Sequence, residues 1–157
     1  MNKNIRFAKT PEDILLCRTA ILDLRPQLAD VDLMAMVTEM FGEGFQLIFI
    51  EAEDGTAAAV CGYRCQQDLF NGKHVHINDL GTLPAYRGRG YGGALLDFVF
   101  EEAKSMGLSI ITLDSGHKRF AAHRLYLNKG FQIEAHHFGV KIPKLSTIEI
   151  FEKPDLE

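Results

Sequence analysis

Leu83-Pro84-Ala85-Tyr86-Arg87-Gly88-Arg89-Gly90-Tyr91-Gly92-Gly93-Ala94-Leu95-Leu96 is the stretch on which the reading of this chain turns. It sets a glycine-dense turn between an extended segment and a helical pattern. That order builds an anion cradle. Consecutive backbone N–H groups point inward, glycines remove the side chains that would block approach, and a helix N-terminus adds partial positive charge. Arg87 and Arg89 flank the glycines. The expected guest is a pyrophosphate, and the rest of the chain must say whose.

Upstream of the cradle, Ile5 to Ala8 suits a short strand. Thr10-Pro11-Glu12-Asp13 then starts a helix, with a hydroxyl N-cap, proline at the first helical position and acids in the first turn. Ile14, Cys17, Ile21 and Leu24 keep helical spacing until Pro26 ends the run, and Leu33 to Phe41 reads as a second helix. Leu47 to Glu51, Thr56 to Gln66 and His74 to Leu83 form an antiparallel meander, turned at Asp54-Gly55 and Asn71-Gly72.

Downstream, a helix from about Gly92 to Met106 sets Leu95, Val99, Ala103 and Met106 on one face and stops at Gly107. Ser109 to Leu113 is a strand, and Arg119 to Lys129 a helix ended by Gly130. Phe131 to Phe138 and Thr147 to Phe151 read as closing strands. The expected fold is therefore α/β: a mixed, mostly antiparallel sheet of six to seven strands with helices on both faces, in one domain over residues 4–153.

Composition narrows the function. At 157 residues, with 46% apolar and 24% charged residues, the chain can bury a core without disulfides or metal. Cys17, Cys61 and Cys65 sit in apolar stretches and are expected to be reduced and buried, in a cytoplasmic protein. The Cys61/Cys65 spacing has no matching second ligand pair, so no metal is expected. No apolar run reaches membrane-spanning length, and a net charge of −4 speaks against nucleic acid. Residues 1–60 hold five Lys/Arg against ten Asp/Glu. This acidic lean, through Asp23, Asp30, Asp32, Glu39 and Glu43, favours a cationic amine such as a polyamine, an aminoglycoside-like amine or lysine over an anionic one.

Two spacings compete within the loop. Gly88, Gly90 and Gly93 satisfy G-x-G-x-x-G, the dinucleotide fingerprint, and Asp114 ends the next strand where a ribose-binding acid is expected. Against a nucleotide-binding oxidoreductase, an antiparallel meander precedes the loop and only 43 residues follow Asp114. Arg87-Gly88-Arg89-Gly90-Tyr91-Gly92 also fits R-x-x-G-x-G, after Leu80-Gly81-Thr82-Leu83-Pro84. Tyr126 follows Gly92 by 34 residues, within Ala122-His123-Arg124-Leu125-Tyr126-Leu127-Asn128-Lys129-Gly130-Phe131. These two blocks, in this order and at this separation, resemble the GNAT superfamily of acetyl-CoA-dependent N-acetyltransferases.

The resemblance implies a use for each matched position. The meander strand and the strand after the cradle helix would splay apart, and the pantetheine arm of acetyl-CoA would pair with main-chain groups of Leu80, Gly81 and Thr82. The pyrophosphate would rest on the amides of Arg87, Gly88, Arg89, Gly90, Tyr91, Gly92 and Gly93, with charge-assisted contacts from Arg87 and Arg89. Tyr126 matches the tyrosine that protonates the departing thiolate. Asp79 stands where many relatives carry an acid; it is the base, holds the substrate ammonium, or acts through a water. Relatives often carry Asn where this chain has Arg119. Arginine cannot accept a hydrogen bond, so Ser115 or main chain takes that contact, or Arg119 reaches the coenzyme phosphates.

The implied activity is acetyl transfer to a primary amine of a small molecule or a lysine side chain. A catalytically silent CoA-binding sensor would keep the cradle and lack the acid/base set. His74 and His76 share one side of their strand, His123 sits beside Tyr126, and none of the three is given a catalytic role. The final strand, left as an edge, is available for edge-to-edge pairing in a homodimer.

Overall fold

The computed structural model describes residues 4–143. β1 (Ile5–Phe7) leads to α1 (Pro11–Leu24), a short 3-10 turn and α2 (Leu33–Gly42). The meander follows as β2 (Phe45–Glu51), β3 (Ala57–Asp68) and β4 (Gly72–Thr82). Then come α3 (Tyr91–Ser105), β5 (Ile111–Leu113) and α4 (Phe120–Asn128). The sheet order is β1-β2-β3-β4-β5; every pairing is antiparallel except β4 with β5.

Local chemistry sets the elements. Thr10 Oγ1 accepts from the Asp13 N–H at 3.2 Å while Asp13 Oδ2 accepts from the Thr10 N–H at 3.1 Å, a capping box that fixes the start of α1. Gly55 and Gly72 take φ of 83° and 66° in the two hairpins, a left-handed conformation that a side chain disfavours.

β2 is buried on both faces, and its alternate residues serve two cores. Leu47 and Phe49 meet α1 and α2 through Ile14, Cys17, Ala20, Leu33 and Val37. Ile48 and Ile50 meet the other side, where Leu95, Leu96, Val99 and Tyr126 from α3 and α4 pack with Cys61 and Leu80. The helices thus cover both sheet faces, as the element order implies. No helix among the described residues is long and apolar enough to cross a membrane.

The strand count differs from expectation: the described residues form five strands, not six to seven. Residues 131–138 carry no regular structure, and Ile133 and Phe138 are exposed. Their apolar alternation breaks at His136-His137, and no described strand pairs with them. Thr147 to Phe151 lies outside the described residues. Cys17 and Cys61 are buried as expected, but Cys65 is exposed, because the outer half of β3 runs beyond the helices.

Candidate active site

β4 is the element that builds the site. It pairs with β3 along its length, but with β5 only at Val75, His76 and Ile77. Beyond Ile77 its second edge has no strand beside it among the described residues. The departure coincides with a β-bulge: Gly62 opposes Asp79 and Tyr63 opposes Ile77, so Asn78 is the extra residue. A bulge bends its strand and increases the twist, which turns β4 away from β5.

Main-chain direction follows from alternation. The Leu83 N–H donates to the Ala58 carbonyl at 2.9 Å, so odd-numbered residues serve β3, and Leu80 and Thr82 aim their N–H and C=O groups at the open edge. Two arginines reach that edge. Arg119 Nη2 donates to the Leu80 carbonyl at 3.4 Å and Arg87 Nε to the Thr82 carbonyl at 3.0 Å.

At the end of this edge the chain turns through Pro84–Tyr86 and Arg87–Gly90 into α3. Gly88 and Gly90 hold φ of 75° and 74°, and Gly90 is the N-cap, with no side chain capping the first turn. The first-turn amides therefore lack an intrahelical partner, and no acid sits among them to compete with an incoming anion. Gly92 has a different task. A Cβ there would come within 3.1 Å of Leu125 Cδ2, so this glycine lets α3 and α4 close on each other. Arg87 is also tied to Asp23 of α1 at 3.2 Å, and Arg89 lies over the Tyr86 ring at 5.1 Å.

Tyr126 sits on the α3/α4 side, 7% exposed, with its ring edge-on to Phe131. Burial pushes its hydroxyl above the usual tyrosine value, and the positive charges of Arg119 and Arg25 pull the other way. Its hydroxyl has no hydrogen-bond partner among the described residues. Ser115 Oγ is buried and likewise unpartnered. His123 Nε2 meets the Gly116 carbonyl at 2.9 Å, so this histidine fixes the loop that carries Ser115 and Arg119. His74 is buried between the Gly72 carbonyl and Gln66, and His76 contacts Thr112 Oγ1 at 2.8 Å. Burial holds the Cys17 thiol up to about 12, and it also pushes Cys61 upward, so neither offers a thiolate.

Asp79 faces the other helical layer. Arg25 Nε donates to Asp79 Oδ1 at 2.9 Å and Arg25 Nη2 to the Asn78 carbonyl at 3.1 Å. Sequence reasoning passed over Arg25. It is the C-cap of α1, 54 positions from Asp79, and nothing local marks it.

Open edge, glycine cradle and buried tyrosine lie together along the α3/α4 side of β4. Residues 18–131 match the Acetyltransferase (GNAT) family, and the chain belongs to that family. It is 38% identical over 93 residues to a curated protein of Bacillus subtilis (strain 168), "Uncharacterized N-acetyltransferase YhdJ", a match covering 59% of this chain and 66% of that protein. It is 39% identical over 56 residues to the "Aminoalkylphosphonate N-acetyltransferase" of Salmonella typhimurium (strain LT2), covering 36% of each chain. The matches thus span two thirds or less of these curated relatives. Among solved structures, the fold superposes on AAC(6')-Iy, solved in complex with the bisubstrate analogue CoA-S-monomethyl-acetylneamine. The TM-score is 0.78 at 19% identity, over 91% of this chain and all of that one.

Proposed function

We propose that the protein moves the acetyl group of acetyl-CoA to a primary amine, of a small molecule or a lysine side chain, by direct attack. The observation that carries this reading is one edge: the β4 main chain at Leu80 and Thr82, with no strand beside it among the described residues and only arginine side chains on its carbonyls, leads through one turn to the N-terminus of α3, where no side chain caps the first turn. A pantetheine arm needs amide partners along its length, and a pyrophosphate needs inward N–H groups at the far end. The edge offers both in that order. The orphaned Ser115 Oγ is a further group with unused hydrogen-bonding capacity beside it. AAC(6')-Iy holds a CoA-linked bisubstrate analogue on the same fold.

The chemistry assigns work to this chain's own groups. The amine must be neutral to attack, so its ammonium proton passes to Asp79, directly or through one water. Attack on the thioester carbon places negative charge on the carbonyl oxygen, which a main-chain N–H of Leu80 or Thr82 can meet. As the C–S bond breaks, Tyr126 donates its proton to the sulfur. A hydroxyl whose pKa burial raises above about 10 stays protonated at neutral pH, as a donor must. Arg87 and Arg89 neutralise the pyrophosphate.

Thermal denaturation with and without acetyl-CoA tests the binding half. A clear rise in Tm at millimolar acetyl-CoA, exceeding that given by NADH, is expected; no rise would sink the reading. Saturable binding with no thiol release across a broad amine panel would make the protein a silent CoA sensor instead.

A further inference from the structure

The α1/α2 face of β4 carries a cavity of about 210 Å³, smaller than the roughly 300–1,000 Å³ of pockets for drug-sized ligands. Leu28, Met36, Val37, Met40 and Phe45 contribute apolar wall, and Arg25 and Asp79 are the charged residues of the lining. Both stay reachable from solvent, with side chains 39% and 26% exposed.

The Arg25–Asp79 pair does not use up its own hydrogen-bonding capacity. Arg25 spends Nε on Asp79 Oδ1 and Nη2 on the Asn78 carbonyl. Arg25 Nη1 and Asp79 Oδ2 have no hydrogen-bond partner among the described residues, so each member of the pair keeps one polar atom for a ligand at the apolar wall. The helix end that carries Arg25 is seated tightly on the strand: a Cβ on Gly81 would lie 3.3 Å from Leu24 Cβ.

The acids of the N-terminal portion do not reach this cavity. Asp23 is bound to Arg87, Asp32 caps α2 and Glu43 meets Arg64, and none of the five acids that gave the sequence its acidic lean lines the wall. A polycation would find one carboxylate, already shared with a guanidinium. An amine that also carries an anion finds a partner for each end.

Resting on the acetyl-transfer reading, we infer that the acceptor is a compact amphoteric amine, with its ammonium on Asp79, a carboxylate or phosphonate on Arg25, and an apolar chain in the cavity. Arg25 is then the residue that determines specificity. Asp79 directly precedes Leu80, so an amine held there lies next to the edge on which the thioester is expected.

Steady-state kinetics with acetyl-CoA and acceptors sharing one apolar chain test this. L-leucine, 1-amino-3-methylbutylphosphonate and 3-methylbutylamine are compared, with spermidine as the polycation, for wild type, Arg25→Gln and Arg25→Lys. Leucine or the phosphonate should exceed 3-methylbutylamine in kcat/KM by at least about tenfold, as expected for a charge-assisted hydrogen bond. The better of the two names the anion. Arg25→Gln should bring that ratio close to one, and Arg25→Lys should restore part of it. Preference for 3-methylbutylamine, spermidine or any acceptor without an anion overturns the inference and leaves acetyl transfer standing. So does an equal loss on every acceptor in Arg25→Gln, which would mean that Arg25 only positions Asp79. No thiol release with any acceptor, together with no stabilisation by acetyl-CoA, overturns both.

Discussion

The two faces of β4 are built from different materials. On the α3/α4 side the ligand-facing groups are mostly main chain: the edge at Leu80 and Thr82, and the amides after Gly90. On the α1/α2 side they are side chains, Arg25 and Asp79 over an apolar hollow. Main chain is the same whatever the residues, so the first face suits a cofactor that never changes. Side chains can be exchanged one at a time, so the second face suits an acceptor that differs from one relative to the next.

The largest effect should come from the side chain proposed as proton donor on the cofactor face. Tyr126→Phe removes the proton donor and leaves the packing against Phe131 intact. It should lower kcat by about a hundredfold or more, with little change in the KM for acetyl-CoA. An unchanged kcat would take Tyr126 out of the mechanism. The pH profile sharpens the same point. Burial raises the hydroxyl's pKa, so its protonated donor form persists through the ordinary tyrosine value of about 10 and is lost only above it. A fall in kcat centred below pH 10 that vanishes in Tyr126→Phe would contradict the assignment.

Next in size is the cradle. Gly90 sits at φ 74°, where a side chain costs about 1–2 kcal/mol. Gly90→Ala should raise the KM for acetyl-CoA about tenfold while the acceptor KM stays near wild type. Equal rises in both would erase the distinction between the faces.

Gly62→Ala is the converse change. A Cβ at Gly62 collides with the Phe45 ring and comes within 3.3 Å of Asp79 Oδ2. Overpacking of this kind costs about 1–3 kcal/mol, seen as a lower Tm, and Phe45 and Asp79 both line the cavity proposed for the acceptor. The acceptor KM should rise while the acetyl-CoA KM does not. Smallest is Thr10→Ala, remote from both faces. Loss of the capping box should cost about 1 kcal/mol and lower Tm by roughly 2–4 °C, with turnover unchanged.

The same contrast explains what could be read in advance. A glycine pattern is a statement about backbone, so R-x-x-G-x-G located the cradle. Hydrophobic periodicity located every described helix and strand to within a few residues. The bulge at Asn78 leaves a mark that the strand reading did not use: the apolar series of Val75 and Ile77 resumes at Leu80 instead of residue 79, and all three join one core. Arg25 was not legible, because its meaning lies in a partner 54 positions away. The acidic lean of residues 1–60 does not gather at the cavity, because Asp23, Asp32 and Glu43 are committed to an ion pair, a helix cap and Arg64. Residues 131–138 show the limit of propensity: apolar and β-branched residues form a strand only beside another one.

The central claim is that one edge of β4 presents a thioester to an amine held by its other face. Its most direct test is the stoichiometry of a single incubation of the protein with acetyl-CoA and the preferred acceptor of the amine series, with free thiol and N-acetylated product measured together. Thiol and acetylated amine should appear in equal amounts, far above the rate without protein, and both should fall together in Tyr126→Phe. Thiol release without acetylated amine, or neither product while acetyl-CoA still binds, would contradict the account.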